Sequence, residues 1–140
     1  MDKVFLGGTC AGTTWRNELE PELEKNSINY FNPVVEDWTP ECQAVEENEK
    51  NKLCNVHLYV ITPEMQGVYS IAEIVHSAHL ANMYGTSVDK VIFLVKQSDW
   101  GKHEIKSFNA TMTLVRNIAP YNSVTGYWEK IQDIVDALKS

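Results

Sequence analysis

Short runs of β-branched and aromatic residues alternate along the chain with longer stretches of helical periodicity. Four of these runs end at turn-forming residues and are predicted to be strands, over residues 3–8, 28–34, 56–63 and 90–96. The last two runs are almost continuously apolar, which is typical of strands that are covered on both faces. A short fifth strand is expected over residues 119–124.

The stretches between these runs have the periodicity of amphipathic helices. Helices are predicted over about residues 14–26, 41–53, 70–84 and 103–117. A last helix is predicted within residues 126–139, where one apolar stripe contains Trp128, Ile131, Ile134, Val135 and Leu138.

This order of elements predicts the fold. Strands and helices that alternate through a whole chain form parallel strands joined by right-handed crossovers. No linker, repeat or low-complexity segment divides the sequence. We therefore expect one domain, residues 1–140, folded as a three-layer α/β/α sandwich. Its core would be a doubly wound, flavodoxin- or Rossmann-like parallel sheet of four or five strands.

Composition narrows the class of protein and of partner. The chain has 140 residues, of which 44% are hydrophobic and 22% charged, as in ordinary globular domains. No apolar run reaches the roughly 18 to 20 residues of a membrane span, and the N-terminal apolar stretch is too short for a signal peptide. A cytoplasmic protein is expected. A net charge of -7 argues against a nucleic-acid polymer as partner, and small molecules and other proteins remain open.

The predicted fold gives a location for a ligand site. In open parallel sheets, ligands bind beyond the carboxyl ends of the strands, where the winding of the chain reverses. The loops at that edge are "GGTCAGTTW" after the first strand, "NPVVEDW" after the second and "TPEMQGVYS" after the third. The third loop leads into a helix that carries Glu73 in its first turn.

Glu73 has two interpretations. Ser70 and Glu73 match a capping box, in which each side chain bonds the backbone N–H of the other residue and the carboxylate is otherwise solvated. On the other hand, the same helix face carries His76, Leu80 and Tyr84. This face is too apolar for one that is exposed to solvent, and it favours an interpretation in which a ligand or a second subunit covers it.

The first loop also has two interpretations, which are compatible. Gly7, Gly8 and Gly12 allow a phosphate to approach the backbone closely, although neither a Walker A lysine nor the G-x-G-x-x-G spacing is present. Alternatively, the loop is a tight strand-to-helix turn with Thr13 or Thr14 as the N-cap.

The second loop contains Glu36, Asp37 and Trp38. The acids suit ligand hydroxyls and the indole suits stacking on a base. The alternative is a polar turn, with Thr39 capping the next helix and Pro40 at its first position. The charged cluster "EENEK" (46–50) is interpreted as a solvated helix face.

Other nucleophiles and metals are disfavoured. The three cysteines are widely spaced and odd in number, so reduced thiols are expected. Cys10 would need a nearby histidine, and His57 is expected to point into the packing of a strand. Glu73 and His76 form one E-x-x-H pair, whereas a carboxylate-bridged metal site needs a second copy and further acids. We expect no metal and no organic cofactor.

Five segments carry a resemblance to a known family. They are "VFLGGT", "TTWRNELEPEL", "FNPVVEDW", "KLCNVHLYVITPE" and "GVYSIAEIVHSAH". In this order and spacing they resemble the nucleoside 2-deoxyribosyltransferase family, from the first predicted strand to the fourth. The resemblance implies N-glycosidic chemistry, in which a glutamate attacks C1′ of a nucleoside or nucleotide and the base departs.

The resemblance assigns roles to residues of this chain. Glu73 matches the nucleophile, with Ser70 as its orienting neighbour. The sugar or phosphate would contact small and hydroxyl-bearing residues: Gly8, Thr9, Thr13 and Gly67. Asp37 and Trp38 would lie at the base or at ligand hydroxyls. Members of the family form homodimers or larger rings, so a homo-oligomer is expected.

Two positions depart from the family's pattern. Phe5 stands where the transferases usually carry a tyrosine that hydrogen-bonds the nucleophile, and Asn55 stands where they carry an aspartate that handles the proton of the base. An amide does not exchange that proton at neutral pH, so Asn55 would only contact the base. Two alternatives to transfer therefore stay open: a NAD-type or nucleotide N-glycohydrolase, and a non-catalytic module that binds or sequesters a nucleotide.

Overall fold

A parallel sheet of five strands runs through the protein. The computed structural model describes residues 2–140. The strands are β1 (Lys3–Gly8), β2 (Asn29–Phe31), β3 (Val56–Ile61), β4 (Lys90–Lys96) and β5 (Ser123–Trp128). They lie in the order β2-β1-β3-β4-β5 and all pairs are parallel. The winding therefore reverses between β1 and β3, which confirms the doubly wound prediction.

Helices cover both faces of this sheet. They are α1 (Trp15–Lys25), α2 (Pro40–Asn48), α3 (Tyr69–Ala81), α4 (Lys102–Ile118) and α5 (Ile131–Lys139). A π-helical turn, Glu49–Leu53, continues α2 without a break. Within residues 2–140, no helix combines the length and the apolar character needed to cross a bilayer.

The alternation of side chains along β3 divides the core into two layers. Leu58 and Val60 pack with α1 and α5 on one face, whereas Tyr59 and Ile61 pack with α3 and α4 on the other. All six β3 residues are buried, as a strand covered on both faces requires. Burying one large aliphatic side chain contributes about 1.5–3 kcal/mol. Because β3 buries such side chains on both faces, it stabilises both layers.

The second strand is shorter than predicted. It ends at Phe31 instead of residue 34, because the Asn32 Oδ1 accepts the Val34 N–H at 3.0 Å and Pro33 has no N–H to donate to a ladder. The predicted helix over residues 41–53 is likewise divided, into α2 and the π-helical turn. By contrast, the predicted N-cap Thr39 is confirmed, with its hydroxyl accepting the Cys42 N–H.

The prediction for the C-terminal region is wrong in part. The fifth strand occupies residues 123–128 instead of 119–124, so Trp128 belongs to β5 and not to the last helix. The helix begins only at Ile131, because Asp133 accepts the backbone N–H groups of Glu129 and Lys130 and so fixes the start of α5. Trp128 nevertheless packs in the same core cluster as Ile134 and Val135 of α5.

Gly8 pairs with Val60 of β3 and has no room for a side chain. Its φ is +111°, and a Cβ there would lie 2.1 Å from the Val60 carbonyl oxygen. Both facts exclude a side chain at this position. The start of the first loop is therefore fixed by backbone geometry.

We expect Gly8→Ala to lower the free energy of unfolding by more than about 3 kcal/mol, since strain and a backbone clash add. Urea denaturation measures the change. Gly126→Ala is the matched control, because Gly126 lies in β5 and a Cβ there meets no heavy atom within 4 Å. Equal stabilities of the two variants would contradict the assignment.

Candidate active site

Two side chains of α1 hold the loop after β1 in place by hydrogen bonds to its backbone. The Thr9 carbonyl oxygen accepts from Trp15 Nε1 at 2.9 Å and from Arg16 Nη1 at 2.6 Å. Arg16 Nε also donates to the Leu6 carbonyl at 3.0 Å. Burial lowers the pKa of the Arg16 guanidinium. The Trp-Arg pair of the sequence thus shapes the loop and places a buried cation behind it.

Glu73 lies at the wall of a cavity between α2, the π-helical turn and α3. This Glu73 cavity has a volume of about 360 Å³ and is lined by Trp38, Gln43, Glu46, Glu47, Lys50, Asn51, Tyr69, Glu73 and His76. Glu73 Oε2 accepts from Lys50 Nζ at 2.5 Å. The two side chains are only 16% and 11% exposed, so the ion pair is largely withdrawn from water.

The predicted capping box is not formed. Helix α3 starts at Tyr69 with Val68 as its N-cap, and no side chain caps it. The carboxylate of Glu73 is paired with Lys50 instead of reaching back to Ser70. The solvated-cap interpretation of Glu73 is therefore wrong.

Lys50 was expected on a solvated helix face and is buried instead. The π-helical turn directs its side chain over the sheet, where Nζ lies 5.7 Å from the ring centroid of Phe5 and 6.0 Å from that of Tyr59. Aromatic faces stabilise a cation at such distances. Lys50 is thus held between two aromatic rings and the carboxylate of Glu73.

A chain of hydrogen bonds fixes the backbone of Lys50. His57 Nε2 lies 2.7 Å from the Lys50 carbonyl oxygen, which can only accept, so Nε2 carries the proton. The Ser77 hydroxyl then donates to His57 Nδ1, and the Tyr59 hydroxyl donates to Ser77, each at 2.8 Å. His57 is fully buried, which confirms that it points into packing. Its burial lowers its pKa to about 4, so the imidazole is neutral at pH 7.

Glu46 is a second acid of the Glu73 cavity. Burial raises the pKa of its carboxyl group, and the negative charge of Glu73 raises it further. One carboxylate of the cavity is thus paired with an ammonium group, while the other has an increased affinity for a proton. Two acids in such different environments can divide nucleophilic and acid–base roles.

Most of the other predicted binding residues line two further cavities. A loop cavity of about 220 Å³, formed by residues 8–11, 64–67, 69 and 70, includes Gly8, Thr9, Gly67 and Ser70. Tyr69 lines both the loop cavity and the Glu73 cavity, so the two adjoin. Thr13 lies elsewhere, in a cavity on the α1 and α5 side of the sheet.

Two further predicted residues, Asn55 and Asp37, line none of these cavities. Asn55 precedes β3 and therefore lies at the amino edge of the sheet, where its side chain accepts the Lys3 N–H at 2.8 Å and donates to Asp2 and Asp89. Asn55 joins strand ends at the edge opposite the loops, so the expected contact with a base is corrected. Asp37 is exposed and lines none of the three cavities.

Sequence reasoning missed Lys50, Glu46 and Tyr69. Lys50 and Glu46 lie in a highly charged helical segment whose composition is typical of a solvent-facing surface. Only the π-helical turn, which adds a residue to one turn, directs Lys50 inward, and no pattern of apolar residues marks it. Tyr69 directly precedes the Ser70–Glu73 motif in the sequence, and this position is the one signal that could have identified it.

The fold and the cavities together define a class of protein. It is the class of doubly wound α/β proteins, in which small molecules bind in cavities beyond the carboxyl ends of the strands. The family model described as nucleoside 2-deoxyribosyltransferase like matches residues 2–98, which contain the loop cavity and the Glu73 cavity. The chain belongs to the nucleoside 2-deoxyribosyltransferase-like family. No curated protein and no solved structure matches it significantly.

The buried imidazole makes stability depend on pH. Because the pKa of His57 falls from about 6.5 in the unfolded chain to about 4 in the fold, the unfolded state binds more protons between these values. The contribution of His57 to the free energy of unfolding is fully present above pH 6.5 and is lost as the pH falls toward 4. Between pH 7 and pH 5 we expect His57 to account for about 2 kcal/mol of the lost free energy of unfolding.

Urea denaturation of His57→Gln at both pH values checks this expectation. The variant is expected to be less stable at pH 7 but to lose less stability on acidification than the unmodified protein. His103→Gln, at an exposed position of α4, serves as the control and keeps the original pH dependence. Identical pH dependence in all three proteins would show that His57 is not the buried neutral group.

Proposed function

We propose that the protein cleaves or transfers the N-glycosidic bond of a nucleoside or nucleotide, with Glu73 as the nucleophile. The observation that carries this proposal is the Lys50–Glu73 pair at the wall of the 360 Å³ cavity. Membership of the nucleoside 2-deoxyribosyltransferase-like family supports it. In that chemistry, a carboxylate stabilises an oxocarbenium-like centre and then bonds to it.

Lys50 prepares Glu73 for attack. Its hydrogen bond to the carboxylate fixes the orientation of the Glu73 side chain. The lysine bonds Oε2 and leaves Oε1 free to approach C1′. Its ammonium lies over Phe5, the position where the transferases usually carry a tyrosine. Lys50 thus supplies from the π-helical turn the hydrogen bond that β1 lacks.

Glu46 supplies the proton that the leaving base requires. As the C1′–N bond breaks, its electron pair passes to the base, which takes a proton from the Glu46 carboxyl group. The Glu73 oxygen forms a bond to C1′ in the same step. Water or a second base then attacks C1′, releases the Glu73 carboxylate and returns a proton to Glu46. The raised pKa of Glu46 suits this alternation of acid and base.

The adjoining cavities suggest how the ligand lies. Trp38 is 59% exposed at the wall of the Glu73 cavity, where its indole can stack on the base. Past Tyr69, the loop cavity offers the backbone of Gly8 and Thr9 with the buried cation of Arg16 behind them. This arrangement favours a phosphate beyond the sugar, and hence a nucleotide over a nucleoside.

Two alternatives share this pocket. A NAD-type N-glycohydrolase would use the same glutamate on a dinucleotide. A non-catalytic binding module is favoured by the ion pair itself, because a lysine at 2.5 Å also withdraws charge from the carboxylate and lowers its nucleophilicity. The range of substrates that are cleaved distinguishes the glycohydrolase from the first proposal. The presence or absence of turnover distinguishes the binding module.

We expect the purified protein to release free base from one member of a panel of nucleosides, nucleotides and NAD, followed by chromatography. Glu73→Gln should reduce the rate at least about 1000-fold, because the nucleophile is lost. Glu46→Gln should reduce it about 100-fold, with a smaller loss for bases that depart without a proton. Glu41→Gln, at an exposed position of α2, is the control and should retain activity.

The outcomes distinguish the three functions. Equal base release by Glu73→Gln would contradict the nucleophile. Cleavage confined to NAD would identify the glycohydrolase. A nucleotide that raises the melting temperature without being cleaved, in both the unmodified protein and Glu73→Gln, would identify the binding module.

We also propose that the protein forms a homodimer through the α2 and α3 side. Trp38, Val45, Val68 and Tyr69 are between 54% and 75% exposed around the Glu73 cavity, and apolar patches of this kind mark protein contacts. A partner subunit there would close the cavity from water.

Sedimentation or light scattering of the purified protein should give a mass twice that of the 15.9 kDa chain. Val45→Glu is expected to shift the assembly toward the monomer, because it places a charge in the contact. Leu114→Glu, on the exposed face of α4, is the matched control and should leave the mass unchanged. A monomeric unmodified protein at micromolar concentration would contradict the dimer.

A further inference from the structure

Lys50 is the only buried lysine among residues 2–140. It is 9% exposed, whereas every other lysine there is half-buried or exposed. The proposed glycosidic step uses this side chain only through its hydrogen bond to Glu73. A primary amine at the wall of a cavity also has a chemistry of its own, because its nitrogen can bond to the carbon of a carbonyl group.

The ammonium group of Lys50 has few partners in the protein. Nζ carries three N–H groups, of which one donates to Glu73 Oε2 at 2.5 Å. Within residues 2–140 it donates to no other acceptor, and its further neighbours are the rings of Phe5 and Tyr59. The side chain is 11% exposed and lines the Glu73 cavity, so a molecule bound in that cavity can contact the amine.

The acids beside Lys50 can move the protons that a condensation with a carbonyl group requires. Glu73 Oε2 can take a proton from the ammonium group to which it is hydrogen-bonded, and that transfer frees the electron pair of the nitrogen. The same carboxyl group can return the proton to a departing hydroxyl. An amine with an acid–base group in contact has the components of an imine-forming site.

The position of the amine indicates which carbonyl compound it would meet. Nζ contacts one oxygen of Glu73, and the proposed function places C1′ of a sugar at the other oxygen. The amine and the nucleophile therefore converge on the same carbon. When water takes the sugar, the product is a hemiacetal, and its ring opens to give an aldehyde at that carbon. The substrate class is thus the aldehyde form of a pentose.

The surroundings of Lys50 suit the covalent product as well as the free side chain. A protonated imine retains the positive charge of the ammonium group and one N–H. The ion pair with Glu73 therefore persists, and no uncompensated charge is left in the protein. The faces of Phe5 and Tyr59 stabilise the iminium cation as they do the ammonium.

We propose that Lys50 forms a covalent imine with the aldehyde of an open-chain pentose or pentose phosphate in the Glu73 cavity. The choice of a sugar aldehyde rests on the proposed N-glycosidic function. The amine chemistry itself does not, because it uses Glu73 as a proton acceptor and donor and not as the nucleophile.

The step releases one water and needs no further reactant. The ammonium group gives a proton to Glu73, and the amine nitrogen bonds to C1 of the aldehyde. The π electron pair of the carbonyl passes to its oxygen, which takes a second proton from the nitrogen. Glu73 then protonates the resulting hydroxyl, which leaves as water while the nitrogen electron pair forms the C=N bond. Addition of water reverses the step and releases the sugar.

Reductive trapping tests this proposal. The protein is incubated with 2-deoxyribose 5-phosphate and sodium cyanoborohydride, whose hydride reduces an imine to a stable secondary amine. Intact mass spectrometry should show one adduct per chain, and peptide mapping should locate it on Lys50. The rate should saturate with sugar concentration. Labelling of the exposed Lys52 should be at least about tenfold slower, because no bound aldehyde is held beside it.

Matched variants separate the amine from the charge. Lys50→Arg keeps a cation beside Glu73 but forms no imine, so the adduct should be absent. Lys52→Arg, at an exposed position of the same π-helical turn, is the control and should be labelled on Lys50 as the unmodified protein is. Glu73→Gln should slow the trapping about 100-fold, as loss of an acid–base group does.

Three results would overturn the proposal: no adduct on Lys50 of the unmodified protein, labelling of Lys50 no faster than that of Lys52, or an undiminished rate in Glu73→Gln. The first two need no variant at the buried position. The aldehyde is supplied directly, so trapping does not depend on base release. Base release without trapping would refute the imine alone, and trapping without base release would refute the glycosidic function alone.

Discussion

The Lys50–Glu73 ion pair is the interaction on which the rest of the site depends. An ammonium group enclosed by two aromatic rings and a carboxylate withdrawn from water are each unfavourable alone, and breaking such a pair leaves one charge uncompensated. The pair also joins the π-helical turn to α3, two elements that lie far apart in the chain. The orientation of Glu73 and the position of the π-helical turn against α3 therefore depend on the same contact.

The hydrogen bonds behind this pair show how the core supports a charged site. His57, Ser77 and Tyr59 connect β3, α3 and the backbone of Lys50, and each of their polar atoms has a partner. A neutral imidazole is required for that pattern, which is why burial and the lowered pKa of His57 agree. A fully satisfied buried network of this type restricts the position of the lysine more tightly than apolar packing would.

Local patterns predicted the elements whose form is set by local chemistry. The continuous apolar runs of β3 and β4, the Thr39–Pro40 helix start and the position of Glu73 beside the switch point all follow from neighbouring residues. Features set by distant residues were not accessible. Lys50 points inward because it pairs with Glu73, lies over the ring of Phe5 and has its carbonyl bonded by His57. Asn55 lies at the amino edge of the sheet because it directly precedes β3. Trp128 matched a helical stripe by spacing, whereas Asp133 determines where α5 begins.

The π-helical turn has a consequence for sequence length. Residues 49–53 form a wider turn than an α-helix, which accommodates one additional residue. Deleting a single residue there would restore α-helical geometry and remove the wider turn that directs Lys50 toward Glu73. The number of residues between α2 and β3 thus determines whether the ion pair can form, although the composition of this segment resembles that of an ordinary exposed connection.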